Sequence, residues 1–415
     1  MRVLGLITEY NPFHNGHKYH LETSKNITAA DYVVCVMSGN FIQRGEPALL
    51  NKWAKTKMAL MNGVDLVIEL PVTYVLQSAE YFAFGAVKIL DSLNIVTDLC
   101  FGSEWGKIDD LKNIAGILFD EPVEVSLKFK QFLDQGDSFV KAREKAIIDY
   151  MKGKYSAQHI EEIMSSPNNI LAIEYIKALY KLNSNIRPVT IKRYKTGYHS
   201  LEFKDEIASA TAIRNLILHQ SNIMEIKPYM PLSSFDILNK EINAGKAPIF
   251  TQQFETAILS LLRKQDHLQL ALFPDVNEGL ENRIQSAAYK FGTYEEVISA
   301  VKTKRYTRTR LQRIMLNILL GITQDMLNTF QKYGGPQYIR VLGMNSRGKE
   351  LLKAIKKKAS LPIIIKPSSY KQSCNPLLKQ MIELDFLATD LYSLHYPAKN
   401  ERKGRLDLLT SPVII

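Results

Sequence analysis

Short runs of β-branched and apolar residues alternate with amphipathic stretches through the first half of the chain. Residues 2–8, 32–37, 64–70 and 97–101 read as strands, and residues 16–26, 51–62 and 78–93 carry the spacing of helices. A fifth strand is expected at 188–194, after a long charged segment of helical pattern at 109–154. Strands separated by crossover helices predict an α/β architecture with a doubly wound, Rossmann-like parallel sheet. The ligand of such a sheet sits beyond the carboxyl ends of its strands. The polar residues at 8–20, 38–47, 71–73 and 102–104 should therefore face one crevice. Ser166 before Pro167 marks a helix start, with Ser166 as candidate cap and Asn168 and Asn169 in the first turn.

Beyond about residue 215 the period is helical, at 254–263, 280–289, 294–302, 308–320, 323–332 and 376–392, with one short strand at 361–367. The boundary falls within 220–250, where Pro228, Pro231, Gly245 and Pro248 cluster. We divide the chain into residues 1–225, the α/β part, and 226–415, mainly helical. Charge separates the same two parts. Residues 1–215 carry 25 basic and 25 acidic side chains, and residues 216–415 carry 28 and 17, so the whole excess of +11 lies in the second. A neutral half joined to a basic half points to a polyanion as one partner.

Other classes are disfavoured. The longest apolar run, 64–76, is broken by Asp65, Glu69 and Pro71, which argues against a membrane partner. Only about six apolar residues precede Thr8, too few for a signal-peptide core, so a cytoplasmic location is expected. Cys35, Cys100 and Cys374 are too scattered for a disulfide framework, and no His, Cys, Asp or Glu spacing suggests a protein-only metal site. Neither a P-loop nor a Gly-x-Gly-x-x-Gly string is present.

With those removed, the best phosphate site is the turn after the first strand, Ile7-Thr8-Glu9-Tyr10-Asn11-Pro12-Phe13-His14-Asn15-Gly16-His17-Lys18-Tyr19-His20. His14 and His17 can each donate a ring N–H to a phosphate oxygen at the start of a helix, whose dipole favours an anion. His20 lies one turn further on and could support them, and His199 reads as a turn residue. Residues 37–47 form a glycine-containing, mixed-charge loop where a substrate would enter. Gly102 ends the fourth strand where a ribose or purine could pack on backbone. In the second half, Lys304, Arg305, Tyr306, Arg308 and Arg310 form one basic cluster and Lys356 and Lys357 belong to another. Phosphates would engage the charges, and a base could stack on Tyr306.

His14-Asn15-Gly16-His17 resembles the His-x-Gly-His signature of the nucleotidyltransferase superfamily, and the longer string from Glu9 resembles the bacterial tRNA(Met) cytidine acetate ligase family. Residues 208–214, Ala-Ser-Ala-Thr-Ala-Ile-Arg, align with the second superfamily signature, Ile-Ser-Ser-Thr-x-Ile-Arg. Ala208 and Ala210 depart from it, and Ala210 lacks the hydroxyl. The resemblance implies a nucleotidyltransferase domain that binds ATP, as substrate and with Mg2+, through residues 7–20, Gly102, Asn169 and Arg193. Catalysis would fall to His14, His17, Ser209, Thr211 and Arg214. Asn40, Gln43, Arg44 or Glu46 would place acetate or cytosine. The implied reaction forms acetyl-adenylate and transfers acetyl to N4 of the wobble cytidine of elongator tRNA(Met). Two alternatives are a small-molecule acid–amine ligase or adenylyltransferase of the same superfamily, and a non-catalytic RNA-binding protein on this fold.

Overall fold

A computed structural model describes residues 1–137, 139–153, 155–193, 208–219 and 223–415. Tyr194, at the end of the expected fifth strand, and His199 lie outside the described residues. Ten strands are described: β1 (Val3–Thr8), β2 (Tyr32–Ser38), β3 (Phe41–Ile42), β4 (Glu46–Pro47), β5 (Leu66–Leu70), β6 (Asp98–Ser103), β7 (Arg187–Lys192), β8 (Ile339–Met344), β9 (Ile363–Ile364) and β10 (Val413–Ile414). All but β3 and β4, which form a separate hairpin, share one sheet of order β10-β8-β5-β2-β1-β6-β7, with β9 also on β8.

From β1 the chain winds outward through β2 to β5, then crosses back to β6 and β7 on the other side. All these pairings are parallel. The winding reverses between β1 and β6, and the crevice of a doubly wound sheet opens at that point. The strands are apolar on both sides because both faces are covered. Val34, Val36 and Ile68 join one hydrophobic cluster, and Val33, Cys35 and Val67 join the other. The segment between β6 and β7 is helical, as its pattern implied, and ends in the helix Pro167–Lys181.

The second half contains the expected helices, among them Glu255–Lys264, Leu280–Lys290, Tyr294–Val301, Arg308–Leu320, Gln324–Lys332 and Pro376–Ser393. It also returns to the sheet, which its pattern did not announce. β8 pairs antiparallel with β5, and β9 and β10 pair parallel with β8. A buried ion cluster seals the seam. Lys52 Nζ lies 2.8 Å from Glu69 Oε1 and 2.7 Å from Asp407 Oδ1, and the Arg340 guanidinium pairs with the same two carboxylates. Residues 1–225 and 226–415 therefore share one sheet, whatever labour each performs.

Candidate active site

A cavity of about 750 Å³ opens over the carboxyl ends of β1 and β6, a volume suited to a nucleotide-sized ligand. The helix Asn15–Thr28 starts in its wall, and the two histidines of the turn provide that helix with its own cap. The Gly16 N–H donates to His14 Nδ1 at 3.0 Å, and the His14 N–H donates to His17 Nδ1 at 3.3 Å. With both Nδ1 atoms accepting, each neutral ring carries its proton on Nε2 as a donor. The rings lie 3.8 Å apart. Burial, then the charges of Arg193 and Arg214, lower the His14 pKa to about 3. Burial, then His14 and Arg193, holds His17 well below its ordinary value. Burial and Arg193 bring His20 to about 4. All three are therefore neutral hydrogen-bonding groups at pH 7. Among the described residues buried Asn11 Nδ2 and His20 Nε2 have no hydrogen-bond partner, as expected of groups kept for a ligand.

A second helix N-terminus meets the same cavity. Ala208, Ser209, Ala210, Thr211 and Arg214 line it at the start of the helix Ala210–His219. The Ser209 hydroxyl caps that helix by accepting from the Ala212 N–H at 3.1 Å. Arg214 donates to the Asn11 carbonyl at 3.0 Å, which ties this helix to the histidine turn. Two helix dipoles and an arginine thus converge on one volume, an arrangement that favours a polyphosphate.

Across β6 and β7 the wall changes character. Gly102 lies under the Arg193 side chain, so a Cβ there would come within 3.1 Å of Arg193 Cγ. Glu104 takes the capping duty expected of Ser166. Its carboxylate accepts from the N–H of Asn169 at 3.0 Å and of Asn168 at 3.4 Å, while the Ser166 hydroxyl donates back to the Glu162 carbonyl. Asn169 is buried with its Oδ1 accepting from the Trp105 N–H, and Asn168 is the one that faces the cavity. Phe82, Phe101, Leu171 and Tyr175 add apolar wall that the sequence reading missed. They sit in apolar periods where a site residue and a core residue look alike.

Beyond β2 lies the loop of residues 39–47. Gln43 and Arg44 face the cavity. Asn40 does not, because it is buried with its amide donating to Thr389 and its Oδ1 accepting from the Lys52 N–H. Glu46 pairs at 3.5 Å with Arg214 and accepts from Gln312 Nε2 at 3.4 Å, so one carboxylate touches both halves. Of the 7–20 stretch, Phe13 packs in the core, Asn15 donates to the Pro228 carbonyl, and Lys18 pairs with Glu22 outside. Pro12, in the same turn, follows a cis peptide bond and is also not part of the wall.

The helix Arg308–Leu320 packs against this loop, which brings the 304–310 cluster to the β2 side of the cavity. Tyr306 is only 8% exposed and has the Arg310 guanidinium 5.2 Å over its ring, so the protein itself covers it. Arg305 pairs with Glu278 and Arg308 with Glu295, while Lys304 is exposed. Lys356 and Lys357 are elsewhere. Their helix, Ser346–Lys358, contacts Asp31 and Asp65, at the starts of β2 and β5, through Arg347. The other end of the helix is fixed by Asn94, shortly before β6, whose side chain donates to the Lys358 carbonyl at 2.9 Å, so the cluster lies near the amino ends of the strands and away from the cavity.

Strand order, switch point and the two helix N-termini at the cavity define a doubly wound α/β fold of the nucleotide-binding type. Residues 1–407 match the family model of the HIGH Nucleotidyl Transferase, and the chain belongs to that family. It is 50% identical to a tRNA(Met) cytidine acetate ligase of Acetivibrio thermocellus, with all of each chain covered. It is 47% identical to one of Thermoanaerobacter sp., covering 99% of this chain and 98% of that one. Its fold superimposes on the crystal structure of Thermotoga maritima TmcAL bound with alpha-thio ATP, with a TM-score of 0.94, 38% identity and complete coverage of both. Within the HIGH family, then, the chain is a member of the tRNA(Met) cytidine acetate ligases.

Proposed function

We propose that the chain activates acetate with ATP and transfers the acetyl group to N4 of the wobble cytidine of elongator tRNA(Met), in the cytoplasm. The observation that carries the reading is the convergence of two neutral Nε2–H imidazoles, two helix N-termini and Arg214 on one cavity. The acetate carboxylate attacks the α-phosphorus, and pyrophosphate leaves. His14 and His17 donate to the α-phosphate oxygens as charge builds there, and Arg214 with the start of its helix holds the departing pyrophosphate. Thr211 stands 3.5 Å from the Arg214 guanidinium and helps aim it. Magnesium enters with the triphosphate. Its ligands there would be largely the triphosphate oxygens.

Strand order supports a layout for the substrates. Adenosine lies toward Gly102, Asn168 and Arg193 over β6 and β7, with Asn169 holding that wall from behind. Acetyl and cytosine lie toward Gln43 and Arg44 over β2, and Asn40 and Glu46 support that loop. The RNA approaches from the same side, where residues 226–415 contribute Lys304 and Arg305. The test is incubation with ATP and labelled acetate, with and without tRNA. Label in tRNA(Met) is expected, and label confined to acetyl-AMP would favour a small-molecule acceptor. His17→Ala should abolish adenylate formation. Lys304→Glu with Arg305→Glu should spare it while weakening transfer, and should flatten the salt dependence of tRNA binding.

A further inference from the structure

We infer that Glu9 accepts the proton shed by the cytidine N4 amine as it attacks the acetyl carbon, a step that rests on the acetyl-transfer reading above. The reaction leaves one proton without a destination. The N4–carbon bond forms and the carbon–oxygen bond to the adenylate phosphate breaks, with AMP leaving on the electron pair. The nitrogen must then lose a proton to become an amide. An acceptor at that point needs a lone pair open to the cavity, on the side where the base enters.

Among the described cavity residues only two carboxylates qualify by type, Glu9 and Glu104. Glu104 spends both oxygens on the N-terminus of the helix Pro167–Lys181, on the adenosine side. His14 and His17 use Nδ1 to accept backbone N–H groups and present Nε2 as donors, so they have no lone pair to offer. His20 also lines the cavity, but burial and Arg193 bring it to about 4, which makes it a weaker base than a carboxylate that burial raises. Glu9 differs on every count. It follows β1 directly and stands between the histidine turn and the loop after β2. Its Oε1 is fixed by the Gln43 N–H at 2.7 Å, and its second oxygen is left to the cavity.

The surroundings tune the group for this work. Burial raises the Glu9 pKa above the usual carboxylate value, against the lowering pull of the Gln43 hydrogen bond and of Lys55, Arg44 and Arg214. Those charges come from the helix Lys52–Met61, the loop after β2 and the helix Ala210–His219. Tyr175 faces Glu9 from the helix Pro167–Lys181. Lys55 is itself buried, brought down to about 8 by that burial, and held by the carbonyls of Glu9 and Ser38 at 2.9 Å each. It steadies the backbone under Glu9 while the carboxylate keeps its free oxygen. A carboxylate raised above its usual range is a stronger base than an ordinary one.

Glu9→Gln tests this, since its amide oxygen still accepts from the Gln43 N–H. Two rates are read on the same preparation: acetate-dependent exchange of labelled pyrophosphate into ATP, and single-turnover transfer from enzyme-held acetyl-AMP to a tRNA(Met) transcript. The expected result is transfer slowed about 100-fold beyond whatever change exchange shows, with the tRNA concentration dependence unchanged. Parent transfer should weaken as pH falls through the Glu9 titration, and the variant should lack that limb. Transfer within three-fold of the parent, or exchange lost in step with transfer, would overturn the role. A parent enzyme that exchanges pyrophosphate but never labels tRNA would instead sink the acetyl-transfer reading.

Discussion

The imidazoles of His14 and His17 cap a helix through Nδ1, and in the function proposed above they also donate to the ligand through Nε2. Alanine at His14 would remove both. Asparagine, a good N-cap residue, would keep the first and remove the second. Their burial also sets how the protein responds to acid. An unfolded imidazole titrates near ~6.5, whereas His14 and His20 in the fold take a proton only at about 3 and about 4. Below pH 6.5 the unfolded chain binds more protons than the folded one, so stability falls as pH falls. The slope is up to ~1.4 kcal/mol per pH unit for each histidine. Urea unfolding of the ligand-free protein at pH 7, 6 and 5 should show this decline, and His20→Gln should remove one share of it. That this turn would line the crevice was legible, because it directly follows the first strand of a doubly wound sheet. Tyr175 and Phe82 were not, since nothing local separates an aromatic that lines a cavity from one that fills a core.

At the scale of elements, the loop after β2 matters most, because it touches the cavity on one side and the second half on the other. Gly45 makes that contact possible. Its φ is +76°, and a Cβ would collide with the Arg313 backbone nitrogen. Gly45→Ala should cost more than the ~1–2 kcal/mol of a left-handed alanine, because the loop must also lift off the helix Arg308–Leu320. Thermal unfolding reads the loss, and acetyl transfer should suffer more than pyrophosphate exchange. The five strands that the first half gives to the large sheet, and most helices of the second, follow from periodicity alone. β8 escaped that reading for a physical reason. A buried strand should be apolar throughout, and Ile339–Met344 carries Arg340 in its second position. Only the pairing with Glu69 and Asp407, far away in sequence, makes that residue tolerable there. The capping of the helix Pro167–Lys181 by Glu104 is hidden in the same way, since its partner lies more than sixty residues earlier.

For the whole molecule, the shared sheet means that the two halves stand or fall together. Arg340→Met would leave Glu69 and Asp407 to Lys52 alone in a dry seam, at an expected cost of about 3–5 kcal/mol. Calorimetry should show one transition moved to lower temperature, with no surviving stable half. The pairing of β5 with β8 also has a consequence while the chain is being made. β5 is complete by residue 70, but its neighbour arrives only with residues 339–344. Throughout that interval the nascent polypeptide carries a bare apolar edge with unmet N–H and C=O groups, the kind of surface that recruits other strands. Ribosomes that stall in the helical region should therefore release material that precipitates or is held by chaperones, instead of a working ATP-binding fragment.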